Sequence, residues 1–276
     1  MKLGIIDIEK LYLGDTEVKK AYLGTNQVYS AEAPHDYSND YLTIVSLVDN
    51  NKIYWHQDGN GTSSRWRMTI SVSTDNGQTW TNYTSAYKSG TYTTLATLNT
   101  GDKLLIKGNN TYYGDTYGPY NCFKSTGLYN AEGNVMSILY GDNFIGQTAL
   151  TNTKCSALGG LFYNSTTLND VSNLILPATT LTNSCYKEMF YGCNKITTAP
   201  ELPATTEIMW CYYQMFYNCS NLNYIKCLLN HINTANTNNW VSGVAATGTF
   251  VKNPLLSSWP RNTSGVPSGW TIVDAS

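Results

Sequence analysis

Seven cysteines, three histidines and 19 carboxylates are the groups in this chain that could do chemistry. Their spacing decides against most of it. Cys185 and Cys193 form a Cys-x7-Cys frame, and Cys211 and Cys219 form another; Cys122, Cys155 and Cys227 stand apart. Structural zinc sites place two to four residues between paired ligands, and His35, His56 and His231 are too scattered to help. An odd number of thiols locked to a repeat also argues against a disulfide framework. The expectation is small buried thiols stacked in ladders, with a Cys193–Cys219 or Cys185–Cys211 bridge as the sharper alternative. Glycosidases need paired carboxylates in a cleft. Here Asp and Glu fall mostly in turn contexts such as Asp75, Asp102 and Asp142, and no Ser-His-Asp or metal motif appears. No catalytic residue, cofactor or metal ligand is expected, and the chain reads as non-enzymatic.

If the chain holds a ligand, aromatic faces are the best means, because Tyr and Trp stack on sugar rings and anchor protein interfaces. Tyr186, Tyr191, Trp210, Tyr212, Tyr213 and Tyr217 recur together and are the candidate contact surface. The competing reading gives about half of them to core packing. The whole composition leans the same way, with 22 Tyr but only 13 % charged residues. A formal net charge of -2 offers no electrostatic case for nucleic acid or an anionic membrane. No apolar run approaches the roughly 20 residues a spanning helix requires. Met1–Lys10 lacks a long apolar region and a cleavage site, so no signal peptide is expected.

The elements that must position these residues follow from repeats. Cys185-Tyr186-Lys187-Glu188-Met189-Phe190-Tyr191-Gly192-Cys193 is echoed 26 residues later by Cys211-Tyr212-Tyr213-Gln214-Met215-Phe216-Tyr217-Asn218-Cys219. Leu176-Pro177-Ala178-Thr179-Thr180 is echoed by Leu202-Pro203-Ala204-Thr205-Thr206 at the same spacing, and Leu161-Phe162-Tyr163 marks a degenerate first copy. A period in the twenties implies stacked coils. Tyr186, Met189, Phe190 and Cys193 fall at helical spacing, so each coil is expected to carry one short helical turn, with Ile196 and Leu202 on the strand side. Residues 229–241 read as a closing helix.

Two further parts precede the coils. From Tyr41 to about Lys107, short apolar runs alternate with turn signals, the pattern of a small antiparallel β-sandwich. Inside it Ser73-Thr74-Asp75-Asn76-Gly77-Gln78-Thr79-Trp80 matches the Asp-box of sialidases. That box recurs once per propeller blade, whereas here it occurs once, so it is expected to brace a hairpin. At the N-terminus, residues 10–18 are echoed by 20–28. Such short strands cannot bury enough surface alone, so Leu11, Leu13, Val18, Leu23 and Val28 are the candidate anchoring and oligomerisation segment. The fold expected is α+β, mostly β: an anchor at 1–33, a sandwich at 34–118, and a leucine-rich-repeat solenoid of about three coils with caps at 119–276.

The Met-Phe-Tyr-Gly/Asn-Cys core with Leu-Pro-Ala-Thr-Thr resembles the BspA-type leucine-rich repeats of bacterial surface proteins. The paired Tyr-Leu-Gly segments resemble the start of virion proteins, including fibres of crAss-like phages. This resemblance implies a virion fibre or capsid decoration, assembled in the host cytoplasm. It would be a homo-oligomer, a trimer favoured, held to other virion proteins by its N-terminal segment. The display part would face a host glycan or protein. A bacterial cell-surface adhesin is the alternative.

Overall fold

The computed structural model describes residues 35–58, 67–86, 92–114, 120–150 and 155–276, together with the backbone of short strands before residue 31. The chain divides into two compact units, Met1–Asp36 and Tyr37–Ser276. In the first, the described strands pair as antiparallel hairpins: β1 (Lys2–Leu3) with β2 (Ile6–Asp7), β3 (Tyr12–Leu13) with β4 (Thr16–Glu17), and β5 (Lys20–Leu23) with β6 (Asn26–Ser30). The ten-residue echo appears in the register, where Tyr12 opposes Glu17 and Tyr22 opposes Gln27. Leu13, Leu23 and Val28 lie on β3, β5 and β6, whereas Leu11 and Val18 fall outside the described residues.

In the second unit the alternating runs form two sheets around one core. The larger joins β7 (Leu42–Ser46), β9 (Thr69–Ser73), β10 (Thr81–Thr84), β12 (Lys103–Lys107) and β14 (Tyr129–Asn134) in the order β10-β9-β12-β7-β14. The smaller has the order β11-β8-β13, from β11 (Thr93–Leu98), β8 (Asn51–Asp58) and β13 (Tyr120–Ser125). Period-2 alternation decides the faces. On β12, Leu104 and Ile106 are fully buried, while Lys103 and Lys107 point outward. Trp55 sits at the centre of the core, with Phe123 at 4.7 Å and its indole N–H donated to the Met68 carbonyl. The larger sheet is not purely antiparallel. β15 (Leu168–Asp170) and β16 (Leu174–Ile175) both join β14 in parallel, so the sheet runs on past residue 118.

The expected α+β class, with a leucine-rich-repeat solenoid of helical turns and strands, is corrected here. The structure is mostly β, in several open sheets, and among the described residues the single α-helix is the four-residue α1 (Ser137–Tyr140). Neither the Cys185–Phe190 stretch nor residues 229–241 are helical. The reason lies in the backbone. Segments 155–164, 183–192, 209–218 and 234–243 are runs of consecutive turns. Within them a residue takes positive φ at every fourth position: Ser156, Gly160 and Asn164; Ser184, Glu188 and Gly192; Trp210, Gln214 and Asn218; Asn239 and Gly243. Each such residue breaks the right-handed run that an i→i−4 ladder needs.

The hydrogen bonds alternate instead. In segment 183–192 the N–H groups of Cys185, Lys187, Met189 and Tyr191 donate three residues back, to Thr182, Ser184, Tyr186 and Glu188. Those of Ser184, Tyr186, Glu188, Phe190 and Gly192 donate outward, to the carbonyls of Met209, Cys211, Tyr213, Met215 and Tyr217 in the next segment. Segment 209–218 repeats this toward Asn236, Asn238, Trp240 and Ser242. The segments thus pair edge to edge, and equivalent side chains form straight columns. Phe162, Phe190 and Phe216 stack at 5.6 and 5.7 Å, nearly parallel. The sandwich feeds the first row, since the Phe123 N–H donates to the Leu161 carbonyl and its ring packs at 5.8 Å on Phe162. Opposite the turns, β17 (Tyr224–Cys227), β18 (Gly248–Lys252) and β19 (Trp270–Asp274) form a parallel sheet. Ile196 and Leu202 are fully buried, and Leu202 bridges to Cys227.

One positive-φ column alternates Asn164, Gly192, Asn218 and Gly243. A Cβ on Gly192 would run into the Asn164 side chain, and one on Gly243 into that of Asn218. Each Asn therefore needs a Gly beside it. Gly192→Ala, at φ +72°, is expected to cost about 1–2 kcal/mol from left-handed strain alone. Asn218→Gly, which suits the same backbone, should cost less; chemical denaturation of both variants checks the order.

Candidate functional site

The turn columns sort the sequence-predicted aromatics into three groups. Tyr186 and Tyr212 are buried, 1 % and 0 % exposed, stacked on each other at 6.0 Å. They are corrected from contact surface to core, because their positions face inward between the turns and the parallel strands. Their hydroxyls are buried without a hydrogen-bond partner. Tyr191 and Tyr217 are half-buried and belong to an outer column in which Tyr120, Tyr163, Tyr191 and Tyr217 lie 5.3, 4.9 and 4.9 Å apart. Stacking uses up the ring faces between neighbours, so this column presents mainly edges. Burial, then Tyr217 and Glu188, pushes the Tyr191 phenol up. Trp210 and Tyr213 form the third group. They meet edge to face at 6.4 Å, both half-buried, and the Lys187 ammonium lies 5.2 Å from the Tyr213 ring centre. Lys187 also pairs with Glu188 at 3.4 Å.

None of the seven cysteines forms a disulfide, and every one but Cys155 is buried. The Cys193 and Cys219 thiols donate to the carbonyls of Phe162 and Phe190, one row back, at 3.1 and 3.0 Å. Burial pushes Cys193, Cys211 and Cys227 up to about 12. They stay protonated, and a thiol is neither nucleophile nor metal ligand in that form. Among the described residues, no three His, Cys, Asp or Glu side chains gather as a metal site, and no helix is long and apolar enough to cross a membrane.

The Asp-box folds as its residues dictate. Asp75 accepts from the Ser73 and Thr79 hydroxyls, both at 2.6 Å, and from the Thr79 N–H. These bonds, Ser73 first, hold its carboxyl down to about 2. Gly77 supplies φ +84°, and the Trp80 indole N–H returns to the Gly77 carbonyl. Trp80 then receives the Lys107 ammonium at 4.0 Å from its ring centre. Lys107 binds both Asp142 oxygens, at 2.8 and 3.0 Å, and the Tyr41 hydroxyl donates to the same carboxylate. Beside this pair lies a cleft of about 270 Å³, lined by Thr69, Ser71, Asn82, Lys107, Asn109 and Asp142. Sequence reasoning missed this cluster because its members lie up to 101 residues apart and share no motif.

Glu207 was also unforeseen. Its side chain is only 6 % exposed, and Oε2 is buried without a partner. Oε1 accepts from the Asn233 N–H and faces His231 Nδ1 at 3.2 Å. Burial raises its pKa above the ordinary 4.5.

No family model, no curated protein and no solved structure matches the chain.

Two outcomes follow from these buried groups. Tyr186→Phe and Tyr212→Phe each remove a hydroxyl that makes no bond, so melting temperature should hold or rise; a fall in either would show a partner to that hydroxyl. For Glu207 the folded state binds the extra proton between pH 4.5 and its raised pKa. Stability should therefore fall as pH rises through that window, and Glu207→Gln should flatten the slope in denaturant titrations at stepped pH.

Proposed function

We propose that the chain is a non-enzymatic structural protein of a phage virion, a fibre or capsid decoration, which displays the Tyr37–Ser276 unit outward. The observation that supports this is the division into two unlike units. Tyr37–Ser276 has an extensive core of its own. The described strands of Met1–Asp36 are two to five residues long and pair as separate two-stranded hairpins. Hairpins of that size are marginal in water alone and gain stability from a partner surface. Sister chains around a symmetry axis supply one, since most oligomers are closed and symmetric, and short strands with open edges invite such pairing. In this reading residues 1–33 trimerise and hold the chain to other virion proteins. The aromatic face around Trp210, Tyr213 and Tyr217 is presented to the host surface.

Light-scattering mass of the full chain and of residues 34–276 tests the reading. The full chain should be a trimer and the shortened chain a folded monomer. The same number of copies in both would remove the anchoring role.

A further inference from the structure

The third turn segment departs from its own template at three consecutive positions, the first two of them exposed, and at the one before them. By column, Leu181-Thr182-Asn183-Ser184 corresponds to Glu207-Ile208-Met209-Trp210. Leu181 is buried, and its counterpart is a carboxylate turned inward, with one oxygen left unpartnered. Thr182 and Asn183 are half-buried polar residues, and their counterparts Ile208 and Met209 are 38 % and 50 % exposed. Ser184, like Ser156 in the first segment, is a buried small residue at positive φ. Its counterpart is Trp210, at φ 57° and half-buried. A bulky side chain in the left-handed region is strained. The Trp210 N–H also leaves the pattern, donating to the Asn236 side chain where Ser184 uses a main-chain carbonyl.

Polar has been exchanged for apolar outside, and apolar for charged inside, in one stretch. Each exchange opposes stability, and local rules are broken in this way mainly where a surface has another use. With Tyr213 beside Trp210, the stretch gathers Met, Trp and Tyr, residue types enriched at protein interfaces, next to the apolar Ile208. Met adds an adaptable contact. The charges around it are silent: Glu207 points inward, and Lys187 is spent on Glu188 and the Tyr213 ring. His231, at the rim, faces Glu207. A surface without a net field selects a partner without one.

We propose that Ile208, Met209, Trp210 and Tyr213 dock an apolar, uncharged segment of a partner protein. This names the partner class for the display face and rests on that reading. The template itself supplies the variant: Ile208→Thr, Met209→Asn and Trp210→Ser together install the residues of the second segment, which the stack already accommodates. A displayed library of random dodecapeptides is selected against the full chain. Selected peptides should be rich in Leu, Phe, Met or Trp and poor in charge. Their affinity should fall at least about tenfold on the triple variant, whose melting temperature should hold or rise. Peptides that bind both proteins equally, or that are charged, overturn the proposal. So does a drop in the mass of the full chain caused by the triple variant, which would make the occupant a second copy. Selective capture of a glycan from an array, lost in the variant, would overturn it in favour of a sugar. The display reading fails separately, on the mass of the chain lacking residues 1–33.

Discussion

Everything from Cys155 to Gly243 depends on how the turn segments satisfy their main chain. Buried N–H and C=O groups need partners, and neither helix nor strand supplies them here. Odd-numbered N–H groups of segment 183–192 turn back three residues, and even-numbered ones reach the next segment. The carbonyls divide in complement: that of Cys185 accepts from Leu158 in the row before, and that of Ser184 accepts locally from Lys187. This division requires the chain to reverse its local twist at every fourth residue, hence the positive φ at Ser184, Glu188 and Gly192. It also fixes the residue types. Gly and Asn hold the outer left-handed column because they tolerate that backbone. Cys holds two fully buried inner columns, and in one of them the Cys193 and Cys219 thiols donate to the carbonyl one row back.

The same pairing determines what the surface can offer. Rows in register stack equivalent rings, so Phe162, Phe190 and Phe216 gain one another's faces inside. Outside, Tyr163, Tyr191 and Tyr217 lose theirs to one another. A repeated aromatic in this architecture is therefore a packing element first. Contact capacity appears where the repeat fails, at Trp210 against Ser184 and at Tyr213 against Lys187.

The 26-residue echo exposed the columns in the sequence, and alternation exposed strands such as β7, β9 and β12. The error over the turns has a simple origin. Tyr186, Met189, Phe190 and Cys193 fit a helix face, but a four-residue turn repeat places the same residues inward. Cys185, Met189 and Cys193 are all fully buried, but residues four apart share a face in a helix as well, so their types and spacing alone do not separate the two readings. Residues 119–134 read as part of the coils and their cap, yet β13 and β14 also complete both sheets of the sandwich, because their partners lie in β7 and β8 as well as in the first turn row. Exposure of Ile208 and Met209 was within reach of the sequence, since aligning them with Thr182 and Asn183 shows polar positions turned apolar.

The titratable groups share one logic, which bears on the Asp-box. Its aspartate is the single sequence feature with a catalytic association, but every bond it makes is to its own turn, and these hold it down to about 2. The buried thiols are driven the opposite way, to about 12. Both shifts fix one protonation state across neutral pH, which suits a strut and disqualifies a general acid or base, whose pKa must lie near the working pH. What Asp75 accomplishes is positional. It closes the hairpin whose Trp80 receives Lys107, and Lys107 in turn holds Asp142 across the sheet. Glu207 moves the opposite way from Asp75, up from 4.5, because its carboxylate is buried. It also lies next to the stretch where the repeat abandons its template. A buried carboxylate beside a strained, half-buried Trp210 and the exposed Ile208 and Met209 marks the part of this chain least explained by packing.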